Sequence, residues 1–270
     1  MTILDEIFAH QREIVADRMA AIPLAQVQAD ALQAAPPLDF RAALQSSTSA
    51  GYPALIAEIK RRSPSRGVLV ENFDPLHLAE VYAENGAAAI SVLTEEKYFG
   101  GSLEILTQVA SQVPALPRLR KDFIFHAYQV YEARAAGADA VLLIAAMLSS
   151  DALAELHALI QELGMAALVE VHTAAEVSAV LPLKPSLLGI NNRDLHTFEV
   201  NLETTLRLRE LVPAQVCLVA ESGIHHAADA ARLGQARVDA ILVGEALVTA
   251  PDPARRVQEL SGVREAAGAG

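Results

Sequence analysis

Eight short apolar runs, each followed by an amphipathic stretch, dominate the chain from Leu55 onward. They are LIAEI (55–59), AAISVL (88–93), LPRLRK (116–121), AVLLIA (140–145), AALVEV (166–171), LLGIN (187–191), VCLVA (216–220) and AILVG (240–244). Runs of this length read as strands buried on both faces, and strand–helix alternation specifies a parallel α/β sheet. An internal echo sets the unit. GAAAISVL begins at Gly86, GADAVLLI at Gly137 and RVDAILVG at Arg237, intervals of about two and four units of some 25 residues. Eight such units span about 200 residues, the length of a (β/α)8 barrel. A doubly wound open sheet would carry a GxGxxG turn after its first strand, and none stands there. The expected fold class is α/β: a (β/α)8 TIM barrel with an N-terminal helical extension.

The extension is residues 1–50. Ile3, Ile7, Ile14 and Val15 give residues 3–20 helical spacing, Pro23 and Pro36–Pro37 punctuate the next stretch, and DFRAALQS from Asp39 forms another helix. We expect 1–50 to be a helical cap of the same domain, 51–262 the barrel and 263–270 a short tail. Composition narrows function. With 33 acidic against 21 basic residues, the net charge of −12 argues against a nucleic-acid binder. A single cysteine, Cys217, excludes a disulfide framework and a multi-thiolate metal site. The eight histidines form no HExxH pattern, so no metal is expected. The opening MTILDEIFAHQREIV places acidic residues where a signal peptide needs an apolar run, and no stretch reaches transmembrane length. A cytoplasmic protein without membrane contact is expected. The outer helices delimit no partner patch, and a monomer is favoured.

In such a barrel the reactive groups gather at the C-terminal strand ends, whereas buried parallel strands are otherwise poor in charge. Here charge recurs at that end. The first run continues as AEIKRRSPSRG, where Glu58 and Lys60 share a face with Ile56 and stand above an apolar layer. A buried glutamate and lysine require each other or a ligand, and a plain ion pair closing the barrel top is the alternative. Ser63 opens a loop of small residues suited to an anion. The third run ends LRKDF, with Lys121 at the rim and Arg120 facing the other way; a lysine reaching out to water is the alternative. Glu170 lies between valines in LVEVH, a desolvated carboxylate whose pKa rises unless a cation is close, suited to acid–base work. GINNRDL brings Asn191, Asn192 and Arg193 to the sixth strand end, and AESGI brings Glu221 and Ser222 to the seventh. His172 reads as a loop residue and Cys217 as a small core residue. The turns 221–224 and 243–247 contain Gly223 and Gly244 and lead into helical pattern. Their backbone N–H groups, that of Glu245 included, suit phosphate at the place barrels use after strands seven and eight; tight turns alone would also explain the glycines. Lys60, Lys121 and Arg193 are expected to concentrate positive charge at one rim.

These residues, in this order, resemble the indole-3-glycerol phosphate synthase family of tryptophan biosynthesis. The resemblance runs from about residue 3 to 260 and is carried by AEIKRRSPSRG (57–67), SVLTEEKYFGGSLEIL (91–106), LRKDFI (119–124), LVEVH (168–172), GINNRDL (189–195), AESGI (220–224) and LVGEAL (242–247). It implies a (β/α)8 barrel whose N-terminal cap helps close the substrate site. The implied lyase reaction is ring closure of 1-(2-carboxyphenylamino)-1-deoxyribulose 5-phosphate, with loss of carbon dioxide and water and no cofactor or metal. The resemblance makes Lys121 the general acid on the substrate carbonyl and Glu170 its acid–base partner in dehydration. Lys60 contacts the substrate carboxylate, with a possible share in proton transfer. Glu58, Asn191, Arg193, Glu221 and Ser222 match positions that orient the substrate or the lysines, and Gly223, Gly244 and Glu245 match the phosphate grip. Two rivals remain: an isomerase of phosphoribosyl anthranilate, whose Cys/Asp pair mid-strand Cys217 does not supply, and an inactive scaffold barrel, which would be expected to have lost some of these charges.

Overall fold

The computed structural model describes residues 3–48, 51–194 and 197–263; most of the expected tail, 264–270, lies outside them. Three helices come first, α1 (Ile3–Ala21), α2 (Leu24–Gln33) and α3 (Phe40–Ser46). Strands and helices then alternate: β1 (Ala54–Ile59), a small ladder of β2 (Arg62–Ser63) and β3 (Gly67–Val68), α4 (Pro75–Glu84), β4 (Ala89–Leu93), α5 (Leu103–Gln112), β5 (Arg118–Lys121), α6 (Ala127–Ala135), β6 (Ala140–Ile144) and α7 (Ser150–Glu162). They continue as β7 (Ala166–Val171), α8 (Ala174–Val180), β8 (Leu187–Asn191), α9 (Glu203–Arg209), β9 (Cys217–Glu221), α10 (Ala227–Gln235), β10 (Ala240–Val243), α11 (Glu245–Val248) and α12 (Pro253–Ser261). Eight strands close a barrel in the order β1-β10-β9-β8-β7-β6-β5-β4, all parallel. This is the TIM barrel expected from the alternation. No helix among the described residues is long and apolar enough to cross a membrane.

Strand parity divides the apolar residues into two layers. Leu55, Ala57, Ile59, Ile90, Val141, Leu143, Val169 and Leu188 face the helices. Ile56, Leu119, Leu142, Leu168, Leu187, Val219 and Leu242 fill the interior, and Cys217 is buried among them. Phe40 and Leu44 of α3 belong to the interior layer and plug the N-terminal end of the barrel. The extension thus runs from one end to the other. Phe8 of α1 packs edge-on against Phe125 near the C-terminal rim, centroids 5.1 Å apart. Tyr128 of α6 donates to the carbonyls of Arg18 and Ile22 at 3.1 and 3.2 Å, beside Val15 and Val27.

Two features add to the sequence reading. The prolines at 23 and 36–37 punctuate the helices as expected, and between them lies a ten-residue helix, α2: Pro23 sits at its N-cap with φ −61°, where its missing N–H is not needed. The loop after β1 carries an antiparallel ladder, Arg62 opposite Val68 and Ser63 opposite Gly67. The echo has a backbone cause. Gly86, Gly137 and Arg237, its three starting residues, all have left-handed φ, at 106°, 84° and 60°. The third copy keeps the turn without the glycine that makes it inexpensive.

Since α3 completes the barrel interior, Leu44→Ala should cost about 2–5 kcal/mol in urea unfolding followed by far-UV circular dichroism, with a single transition. An early separate transition would make residues 1–50 an independent unit.

Candidate active site

The strand ends converge on a cavity of about 430 Å³. All twelve candidate residues line it: Glu58 on β1 with Lys60 and Ser63 after it, Lys121 on β5, Glu170 on β7, Asn191 on β8 with Arg193 after it, Glu221 on β9 with Ser222 and Gly223 after it, and Gly244 with Glu245 after β10. Ile7 of α1 and the aromatic rings of Phe99, Phe123 and Phe198 complete the wall.

Lys121 is the hub. Its Nζ lies 2.9 Å from Glu170 Oε2 and 3.2 Å from Glu221 Oε2, both carboxylates almost completely buried. Lys60 Nζ pairs with Glu58 Oε1 at 2.7 Å, and Ser91 Oγ donates to the other oxygen at 3.4 Å. Asn191 Nδ2 donates to Glu170 Oε1 at 3.1 Å, while its Oδ1 accepts from the backbone N–H of Arg193 at 3.0 Å. The Arg193 guanidinium turns to the carbonyl of Phe198, 3.2 Å away. The expected concentration of positive charge is therefore corrected. Both lysines are matched by carboxylates, because an ammonium buried without a counter-charge would lose too much solvation.

The same matching sets the titration of the rim. Burial alone would lower Lys121, but Glu170, Glu221 and Glu58 outweigh it and hold the ammonium well above its ordinary range. Burial would raise Glu170, yet Lys121 and His172 hold it well below the usual carboxylate range. Glu221 goes the other way. Burial pushes it up, Lys121 only partly opposes this, and the nearby charges of Glu170 and Glu58 add to the rise. One barrel rim thus holds one glutamate drawn below the usual carboxylate range and one pushed above it, on either side of one lysine.

Backbone choices make room for these groups. A Cβ at Gly189 would fall 2.2 Å from Glu221 Oε1. One at Gly244 would fall 2.4 Å from Glu58 Oε1 and 3.1 Å from Lys60 Nζ. Gly244 has φ −121°, so its role is space for the ion pair, not the tight turn entertained from sequence. Ser222 and Gly223 both take left-handed φ, 66° and 78°. Residues 222–226 separate β9 from α10, so the turn at 221–224 does not run straight into a helix, whereas Gly244 caps α11 directly. Arg66 reaches Glu245 at 2.9 Å and balances its charge at the mouth.

His172 is the loop residue the sequence suggests, between β7 and α8, but its ion pairs were not foreseen. It stands 3.3 Å from Glu170 Oε1 through Nε2 and 3.4 Å from Glu176 Oε2 through Nδ1. Burial would lower it, but these carboxylates raise its pKa to about 10. The available signal was HTAAE: Thr173 and Glu176 form a capping pair at the start of α8, with Thr173 Oγ1 accepting from the Glu176 N–H at 3.2 Å. The aromatic wall was also unassigned; Phe99 and Phe123 stand with centroids 6.1 Å apart.

A closed parallel barrel with acid–base groups ringed about a half-apolar cavity at its C-terminal face defines a barrel enzyme acting on a small molecule. Comparison with known proteins makes the class specific. The indole-3-glycerol phosphate synthase family profile matches residues 4–260. The indole-3-glycerol phosphate synthase of Albidiferax ferrireducens is 52% identical over 258 residues, covering 96% of this chain and 97% of that protein. That of Roseiflexus sp. strain RS-1 is 53% identical over 268 residues, covering 97% and 98%. Among solved structures, 3-hexulose-6-phosphate synthase from Salmonella typhimurium superposes with a TM-score of 0.64 at 14% identity, over 77% of this chain and 97% of that one, a likeness of fold. The chain belongs to the indole-3-glycerol phosphate synthase family.

Two outcomes test this geometry. Gly189→Ala should displace the Glu221 carboxylate and lower kcat at least about tenfold while the barrel stays folded; an unchanged kcat would show that Glu221 has slack. His172, charged more readily in the fold than in the unfolded chain, adds stability that is complete below about pH 6.5 and is lost as pH rises through about 10. The difference in urea-unfolding free energy between wild type and His172→Gln should therefore shrink from about pH 7 to pH 10.5, and a constant difference would contradict the ion pairs.

Proposed function

We propose that this rim performs the family's ring closure on 1-(2-carboxyphenylamino)-1-deoxyribulose 5-phosphate, with Lys121 as the acid that starts it. The observation that carries the reading is the Lys121 ammonium, held between Glu170 and Glu221 and facing the cavity. In the condensation the Lys121 ammonium protonates the carbonyl oxygen as the ring carbon attacks. Loss of carbon dioxide restores the aromatic ring. Dehydration then removes the hydroxyl as water and a proton from the adjacent carbon, and Glu170, ionised and 2.9 Å from Lys121, is placed to accept it. Glu221, whose pKa burial pushes up to about 8, is suited to donate to the departing hydroxyl.

Binding follows from the substrate's two anionic ends and its aryl ring. Lys60 and Arg193 take the carboxylate, with Glu58 holding Lys60 in place at 2.7 Å. The backbone N–H groups at Gly223, Gly244 and Glu245 take the phosphate, with Ser222 and Ser63 at its edges; Ser63 Oγ is buried and has no protein partner. Phe99 and Phe123 offer apolar faces to the ring, and Asn191 keeps Glu170 oriented. A cavity of about 430 Å³ suits a ligand of this size. A reduced, buried Cys217 is consistent with a cytoplasmic setting.

Lys121→Ala should lower kcat by about 10²–10⁴ with a smaller change in KM and an unaltered far-UV spectrum, followed by the fluorescence of the indole product. A folded variant with near-normal kcat would remove Lys121 from the acid role, and wild-type protein that forms no indole product would overturn the ring-closure reading.

A further inference from the structure

We infer that Glu95 is a positioning residue: its carboxylate shapes the loop of residues 95–101 and so sets the Phe99 face against which the substrate's aryl ring lies. The inference rests on the ring-closure reading, which supplies the aryl ring. Glu95 is 1% exposed, whereas Glu96 and Lys97 beside it are exposed. It does not line the cavity, and it has no hydrogen bond to the acid–base groups there. A carboxylate taken out of water needs a cation or a full set of donors. Among the described residues Glu95 has no ion pair; its donors are three backbone N–H groups of its own loop.

Glu95 Oε2 accepts the N–H of Tyr98 at 2.6 Å and that of Phe99 at 2.9 Å, and Oε1 accepts that of Lys97 at 3.2 Å. The backbone closes the same loop: the Glu95 carbonyl accepts the Gly101 N–H at 2.9 Å and the Glu96 carbonyl that of Gly100 at 3.0 Å. A Cβ at Gly101 would collide with the Leu93 carbonyl, so the loop returns directly over the end of β4. The neighbouring Thr94 donates its N–H to the Lys121 carbonyl at 3.2 Å, which registers the loop against the acid. From this frame the Phe99 ring enters the cavity wall beside Phe123. The Phe99 carbonyl accepts the Arg62 N–H at 3.2 Å, at the start of the β2–β3 ladder. On the outer side the Tyr98 ring meets His10 of α1 edge-on, centroids 6.1 Å apart.

Burial raises the pKa of Glu95, the N–H groups of Tyr98 and Phe99 oppose the rise, and the charge of Asp122 adds to it. A buried acid is thus kept where an apolar side chain would fill the same space without that cost. What an apolar side chain could not do is hold the Phe99 N–H, and with it the direction of the ring. Ring closure needs the attacking aryl carbon aligned with the carbonyl carbon while Lys121 protonates the oxygen, and small misplacements of such a pair are expensive. The aryl ring rests on Phe99 both before and during the reaction, so loss of that face weakens binding throughout and appears chiefly in KM.

The test is steady-state kinetics, followed by indole fluorescence, on wild type, Glu95→Gln, Glu95→Ala, Phe99→Ala and the double variant of the last two. Glu95→Ala should raise KM at least about tenfold with kcat within about threefold of wild type. Glu95→Gln, whose amide oxygen still reaches the N–H groups of Tyr98 and Phe99, should hold the rise to about threefold. In the Phe99→Ala background, Glu95→Ala should change kcat/KM by less than about twofold, because no ring is left to place. If Glu95→Ala does not fold, the same cycle run with Glu95→Gln decides. Unaltered kinetics with a lowered unfolding free energy would make Glu95 a brace of the loop alone and overturn the inference. A loss chiefly in kcat, or an undiminished loss in the Phe99→Ala background, would overturn it as well. Wild type that makes no indole product would instead overturn the ring-closure reading on which it rests.

Discussion

The ammonium of Lys121 inside a ring of carboxylates is the interaction on which the rest of the rim depends. Glu170 and Glu221 come from β7 and β9, strands separated in the barrel by β8, and Lys121 reaches both from β5. Without that cation the two buried carboxyl groups would lose the counter-charge they share. With it, identical side chains acquire opposite characters. Glu170 has Lys121, His172 and Asn191 on its oxygens and stays ionised, whereas Glu221 shares only Lys121 and leaves Oε1 without a partner. Environments that separate two carboxyl groups in this way supply a base and an acid from one residue type.

Such a cluster is sustained by what lies beneath it and beside it. Leu142, Leu168 and Leu242 form an apolar layer within the barrel, and Phe40 and Leu44 close its lower end. Water is excluded from below, so the charges above that layer interact at short range and low screening. Beside the cluster, the missing side chains at Gly189 and Gly244 are as specific as the charged ones. The first leaves space for Glu221, and the second for Glu58 and Lys60. A barrel packed to normal density has no other place to put three carboxylates at one rim.

Most of this was legible in the sequence where period-2 parity governs. The eight apolar runs became the eight barrel strands with boundaries shifted by at most two residues, and Ile56, Glu58 and Lys60 share the interior face as alternation requires. All twelve candidate residues surround one cavity because strand ends in a parallel barrel have nowhere else to converge. What escaped the reading depends on contacts between elements. The helix α2 hid between prolines that mark its ends. His172 is a loop residue as read, but its ion pairs were hidden because Glu170 and Glu176 reach it from the strand before and the helix after. The Glu58–Lys60 pair was open to the sequence, but the pairing of Lys121 with Glu170 and Glu221, which completes the cancelling of the expected positive rim, depends on strands far apart in sequence. Nor does any local pattern mark Gly244 as space for Glu58, a residue nearly two hundred positions earlier.

Strand β5 shows how the extension and the reacting groups become one object. It is short, and its RLRK sequence puts charge on both faces. Lys121 points into the cavity, while Arg120 points outward and is fully buried against α6, donating to the Gln129 carbonyl at 2.7 Å and to Asp122 Oδ2 at 2.9 Å. Asp122 also accepts from Thr94 Oγ1 at 2.6 Å and, on its other oxygen, from Gln11 of α1 at 2.9 Å. The residue next to the acid is thus anchored at once to the strand's outer face, to the preceding strand's loop and to the N-terminal helix. A displacement of α1 would take the Gln11 donor from Asp122 Oδ1, which would keep only the Phe123 N–H at 2.8 Å, and losing a buried hydrogen bond to a charged group costs more than an ordinary surface contact. Ile7, one helical turn before Gln11, lines the same cavity. Docking of the extension and the setting of Lys121 are therefore parts of a single hydrogen-bonded arrangement, and the extension acts on the site through the backbone of β5 as well as by covering the cavity.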